Sequence, residues 1–313
     1  MLLFAIPFLV TFIFYLLTLC RTVYTGDSGE LTLDCFVLGI AHPPGYPLLT
    51  LLGRGFLTLV PLNPAFALNI LSALFAAAGV GAAALVIRLI LVEPDQRNSN
   101  LGLAIPMILA IFFGFSNSLW STAVGMEVYS FGLLLILLSL FMLLKFNEKR
   151  HSSLLIASGY FAFLGLANHL TITVMFIPIL LFLIINKAPL RIWGLLFVLL
   201  ILAVSAYLYI PIRSSLNPIG DWNHPANLKA FIDHVTARRY RAYVSGLRFD
   251  NYFENMWRSV RILSEQLPLY LGLVGLFGLL IPRIISTRIS EVVLQKPALA
   301  GVHRCEALGL GEC

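Results

Sequence analysis

The chain is 313 residues long, 59% hydrophobic and only 12% charged, with a formal net charge of +6 and a mean hydropathy of +0.91. Soluble domains carry about 25% charged residues, so the composition excludes a soluble enzyme and points to a polytopic membrane protein. Its basic balance fits loops that face lipid headgroups; a nucleic-acid binder would need a soluble basic domain, and the sequence offers none.

A membrane span takes about 20 mostly apolar residues. Runs of that kind fall near 2–20, 65–90, 101–116, 127–145, 153–168, 170–186, 191–210 and 267–285. The first lacks a basic n-region and a small-x-small cleavage site, so it reads as a retained helix or signal anchor. The segment 48–60 carries Arg54 and is short, which suits an interfacial or re-entrant helix. Cys20 and Cys35 flank the first polar loop and could pair in an oxidising compartment, although their spacing does not require it. No CxxC or Cys/His spacing suggests structural zinc.

Basic residues set orientation. With the N-terminus inside, the inner connections hold Arg88, Arg97, Lys145, Lys149, Arg150, Lys187, Arg191, Arg283 and Arg288. The short outer ones hold only Arg21 and Arg54. External loops are then expected at about 21–64 and 211–266, within one transmembrane unit spanning 1–285. Residues 286–313, with His303, Cys305 and Cys313, read as a short tail or the artificial end of a longer reading frame.

On this topology the chemistry-bearing residues share the outer side. Asp27 and Glu30 have the spacing of a capping box at the start of a helix. A helix start of that kind also holds a carboxylate rigidly at the membrane surface, where ionisable groups are costly without a partner or a task. Asp34, one turn on, reads as a satisfied structural group. His42-Pro43-Pro44-Gly45-Tyr46-Pro47 is a stiff turn that either reverses the chain or holds His42 near Asp27. Glu127 and Tyr129 stand at a span entry, and His169 lies between two apolar runs. No two of these ligand types share a tight spacing, which leaves a divalent cation open without defining a site. Arg213 follows a span directly, and the stretch around Arg238 and Arg239 reads as a basic interfacial helix. Either could snorkel to headgroups or hold a lipid-linked phosphate through paired hydrogen bonds.

The first-loop acids, the His-Pro-Pro-Gly-Tyr-Pro turn, and Pro211-Ile212-Arg213-Ser214-Ser215 ahead of Gly220-Asp221-Trp222 resemble one group of membrane glycosyltransferases. These are bacterial relatives of the animal endoplasmic-reticulum protein O-mannosyltransferase that modifies plexin-type receptors, placed in the GT-C superfamily. The resemblance runs from about residue 20 to about residue 245. It implies an all-α, GT-C-like transmembrane domain with interfacial helices in its external loops, in a bacterial inner membrane with the active face outward. It also implies a polyprenyl-phosphate sugar as donor, a protein, lipid or glycan acceptor, and membrane lipids as neighbours. Carried over by position, Asp27 is the first-loop catalytic acid and Glu30 its competitor. By a looser analogy His42 and Arg213 line the phosphate side, and the reading of the residues themselves adds Tyr46, Glu127, His169, Arg238 and Arg239 to the substrate and lipid-phosphate side.

Two rival readings stay open at this stage. A transporter or lipid flippase would place ionisable groups near the bilayer midplane, often in repeated halves; here they lie at span ends and no repeat is visible. A non-catalytic scaffold would keep its cellular function without Asp27 and Glu30.

Overall fold

A computed structural model of the chain describes residues 1–240 and 252–266. Within them the chain is helical: α1 Leu2–Leu17, α2 Ser28–Val37, α3 Pro47–Leu59, α4 Pro64–Leu91, α5 Asn100–Gly114, α6 Asn117–Ala123, α7 Val128–Lys149 and α8 Ser152–Leu166. A 3-10 stretch, Leu170–Met175, leads into α9 Phe176–Ile185, followed by α10 Leu190–Val204, α11 Tyr209–Ser214, α12 Leu228–Val235 and α13 Tyr252–Gln266. No strand occurs among the described residues. A single isolated parallel bridge joins Ile40 to Asp221.

The long central helix α4 starts where Asn63 caps it, accepting from the backbone N–H of Ala65 at 3.1 Å, with Pro64 at a position where a missing N–H costs nothing. Its alanine-rich surface packs on α1, α5 and α7. Small residues allow close helix approach in a membrane: a Cβ at Gly81 would stand 2.8 Å from the Phe4 ring. A second core joins α3, α7, α8, α9 and α10, where Ser139 donates to the Ser158 carbonyl at 2.8 Å. A third, small cluster of Ile40, Ala167, Tyr207 and Ile210 seats the first polar loop against α11.

Among the described residues three helices are long and apolar enough to cross a membrane: Pro64–Leu91, Val128–Lys149 and Leu190–Ser214. The run expected as one span at 101–116 is instead α5 and α6, bent by 68° where Ser116 starts a new helix. Leu2–Leu17, Ser152–Leu166 and Leu170–Ile185 are apolar but shorter. Each stops at polar or turn residues that the apolar run had absorbed, such as Thr18 and Asn168. The segment expected to be interfacial, 48–60, is helix α3. The expected span 267–285 and the tail 286–313 lie outside the described residues.

Antiparallel neighbours sort the polar groups to two ends of the bundle. At one end Arg97 pairs with Glu148, Lys145 reaches the same carboxylate at 2.9 Å, and Arg150 donates to Asn186 at 2.9 Å. Asp27, Glu30, Glu127, His42, His169 and Trp222 gather at the other.

Candidate active site

The site forms where α2 begins. Asp27 occupies the N-cap position, but its side chain makes no capping bond. The expected capping box is therefore not formed, because Glu30 is engaged elsewhere: it accepts from the His42 backbone N–H, and both its oxygens lie 3.1 Å from His42 Nδ1. An ionised carboxylate can only accept, so Nδ1 carries a proton. The other ring nitrogen, Nε2, sits 2.8 Å from Tyr46 Oη and 3.8 Å from an Asp27 oxygen. Asp27 is left half exposed beside the far edge of an oriented imidazole.

The turn that delivers His42 needs its sequence. Gly45 has φ of 99°, and a Cβ there would stand 2.6 Å from Ile210 Cδ1. Tyr46 is left-handed as well, and Pro47 then opens α3. Behind the turn, His234 is buried against Gly45, and burial lowers its pKa to about 4, so this ring is neutral.

Electrostatics follow from these contacts. The Glu30 hydrogen bond holds the His42 pKa above the ordinary histidine value against the cost of burial. Burial alone would push Glu30 up, but His42 outweighs it and leaves the carboxyl below its ordinary value. Both shifts favour the imidazolium–carboxylate form of the pair.

Buried amides bring the second ring of residues into place. Asn69 on α4 donates to the carbonyls of Cys20 and Thr22, both at 2.9 Å, and accepts from the Met126 N–H at 2.7 Å. That clamp sets Glu127 beside Gly26, where its Oε1 is 3.4 Å from the position of a Cβ. Burial, and then the neighbouring Asp27, raise the Glu127 pKa to about 7. Asn168 donates to the Val128 carbonyl at 3.0 Å and fixes the next residue, His169. The His169 ring stacks on Tyr46 at 5.7 Å and leans on Tyr129 at 5.5 Å. Its Nδ1 accepts from the Thr171 N–H, and burial followed by the charge on His42 lowers its pKa.

The loop after α11 closes the site. Ile40 N–H donates to Gly220 O at 2.7 Å, and Trp222 N–H donates to Ile40 O at 3.2 Å. Trp222 is thereby held with its ring edge-on to His42, 6.3 Å away. Asp221 accepts from Ser214 Oγ at 3.0 Å and lies 2.7 Å from His224 Nδ1. Arg213 donates through Nε to Leu38 O at 2.8 Å and through Nη2 to Val37 O at 3.0 Å, while Arg54 donates to Phe36 O. Both guanidiniums therefore satisfy the carbonyls that a helix leaves open at its C-terminus.

Asp27, Glu30, His42, Tyr46, Glu127 and His169 are thus brought together from four separate stretches of chain. Arg213 anchors the far end of α2, and Arg238 pairs with Asp233 at 3.0 Å. The side chain of Arg239 lies outside the described residues. Asp34 corrects an expectation: it is buried, yet its Oδ2 has no partner, and burial raises its pKa to about 7. Trp222 and Asn69 were not legible as site residues; the only sequence signal was the Gly-Asp-Trp turn. Cys20 and Cys35 are free thiols, so the open pairing is not made. Ligand atoms of Asp27, Glu30 and His42 lie within 4.8 Å of one another.

An all-helical membrane bundle with acids, imidazoles and aromatic rings collected at one end of its helices is a polytopic protein with a polar surface site. The family profile described as Protein O-mannosyl-transferase TMEM260 N-terminal domain matches residues 27–192. That is more than half of the chain, and the chain belongs to this family. Protein O-mannosyl-transferase TMEM260 of Mus musculus is 32% identical over 242 residues, covering 73% of this chain and 33% of the relative. Its Dictyostelium discoideum counterpart is 26% identical over 286 residues, covering 84% and 34%. The chain spans about a third of the length of these relatives. No solved structure matches it.

Proposed function

We propose that this chain is the membrane portion of a glycosyltransferase that moves a hexose, mannose by the names of its relatives, from a polyprenyl-phosphate donor to an acceptor hydroxyl. The carrying observation is Asp27: a half-exposed carboxylate that makes no capping bond, 3.8 Å from the Nε2 of a histidine whose charged form Glu30 favours. In the step this supports, the acceptor oxygen bonds to the anomeric carbon as the bond from that carbon to the phosphate oxygen breaks. Asp27 takes the acceptor proton, in the way a carboxylate activates water in inverting glycoside hydrolysis. The departing polyprenyl phosphate takes the bonding electron pair and gains negative charge. His42 imidazolium lies where it can oppose that charge. Tyr46 orients His42, and Glu127 and His169 line the approach.

The same reading puts the site on the non-cytoplasmic face, because the basic connections lie at the opposite end of the bundle; in a bacterium this is the outer side of the inner membrane. Arg213, already bonded to two carbonyls of α2, braces the helix that presents Asp27. Asp27→Asn, purified in detergent and given polyprenyl-phosphate mannose, is expected to lose donor consumption while inserting and melting like the wild type. A fully active Asp27→Asn protein would remove Asp27 from the mechanism.

A further inference from the structure

Between α2 and the turn after α11 lies a cavity of about 320 Å3 whose walls include Glu30, Asp34, Gly220, Asp221 and Trp222. It is of the size of small ligand sites. Its chemistry is selective. Three carboxyl groups on one cavity exclude a phosphate, so the lipid-linked anion itself does not belong here. Glu30 is committed to His42, and Asp221 accepts from Ser214. Asp34 is different: it is 1% exposed, and its Oδ2 has no hydrogen-bond partner. An orphaned buried acceptor of this kind is costly unless something outside the chain supplies a donor. Two glycines keep room for it, since a Cβ at Gly39 or at Gly220 would run into Asp34 Oδ1. The same cavity is lined by Trp222, half exposed, with its backbone N–H bonded to Ile40. An aromatic face beside hydrogen-bond acceptors suits a ligand with an apolar C–H face and a rim of neutral hydroxyls.

We propose that this cavity is a subsite for a neutral hexopyranose ring, with Trp222 as its stacking face and Asp34 as an acceptor for a ring hydroxyl. The assignment rests on the glycosyltransferase reading only in its biological purpose; the recognition chemistry stands apart from it. The cavity shares Glu30 with the Asp27–His42 cluster, so a ring held here has one edge next to the proposed reacting groups. The sugar can come from two sources, the donor or a glycan on the acceptor.

The test is tryptophan fluorescence of the full chain in detergent, titrated with methyl α-mannopyranoside and, separately, with polyprenyl-phosphate mannose. The wild type is expected to give a saturable signal that Trp222→Phe abolishes. Asp34→Leu is expected to weaken binding of the methyl glycoside about tenfold or more. Because Trp222 is part of the solvent-facing surface, its substitution leaves the fold in place. Competition between the two ligands assigns the subsite to the donor sugar, and simultaneous binding assigns it to the acceptor glycan; either outcome supports the proposal. A wild type that consumes donor with the same KM as Trp222→Ala and Asp34→Leu, and gives no Trp222-dependent signal, overturns the subsite and leaves the transferase reading intact. A protein that binds the glycoside through Trp222 but never consumes donor does the reverse.

Discussion

Replacing Glu30 with glutamine probes the pair on which the site is built. His42 and Glu30 side chains are only 16% and 24% exposed, so solvent screens their interaction weakly. A hydrogen bond to a charged group contributes about 1.5–3 kcal/mol. Glutamine keeps a neutral acceptor for the His42 N–H, so the expected loss is about 1–2 kcal/mol. The loss should depend on pH. His42 titrates above its ordinary 6.5 in the folded protein, so its contribution is complete below 6.5 and fades as pH rises through the raised value. Glu30 titrates below its ordinary 4.5, so its contribution is complete above 4.5 and fades as pH falls through the lowered value. Wild type and Glu30→Gln should therefore differ most between pH 4.5 and 6.5 and converge on either side. For activity, removing the principal cause of the His42 shift lets its pKa fall, so the alkaline limb of any step that needs imidazolium should move to lower pH in Glu30→Gln. The assay is donor consumption from pH 5.5 to 9, with thermal unfolding across the same range. An alkaline limb in Glu30→Gln that coincides with the wild-type limb refutes the reasoning, because His42 would then owe nothing to Glu30.

Three further outcomes follow from other contacts. Asn69→Leu leaves the Cys20 and Thr22 carbonyls and the Met126 N–H unpaired; at about 1–3 kcal/mol for a buried orphan, it should lower Tm and reduce turnover even where the protein remains folded. Glu127→Gln should melt higher than wild type at pH 8, with the difference vanishing below pH 4.5, measured by calorimetry. The sign follows because a carboxyl raised to about 7 weakens the folded state as pH climbs from the ordinary value of 4.5 through that point. Arg213→Ala removes two bonds to the end of α2 and should lower Tm without changing KM for the polyprenyl-phosphate donor. A large rise in KM at unchanged Tm would instead make Arg213 a phosphate ligand.

The class of the protein was open to inspection from apolar run lengths, because a bilayer imposes its thickness directly on the chain. The limits of individual spans were less so. Composition alone does not register the Phe115–Ser116 corner that splits α5 from α6, or the 3-10 start at Leu170. Asp27, Glu30 and His42 could be singled out because charge is rare in this sequence. Their pairing could not: local spacing favours a cap between Asp27 and Glu30, whereas a turn 12 residues downstream takes Glu30 away. The roles of Asn69 and Trp222 are hidden in the sequence for a related reason. Each acts through backbone groups from distant loops, and nothing in its immediate sequence marks such a partner.

The short bridge between Ile40 and Asp221 joins positions about 180 residues apart. A ribosome working at about 5–20 residues per second needs roughly 10–40 s to traverse that interval. Throughout it the nascent first loop lacks its partner across that bridge. Nascent chains arrested before residue 222 should accordingly carry the acids and the histidine yet lack the Trp222 wall beside them.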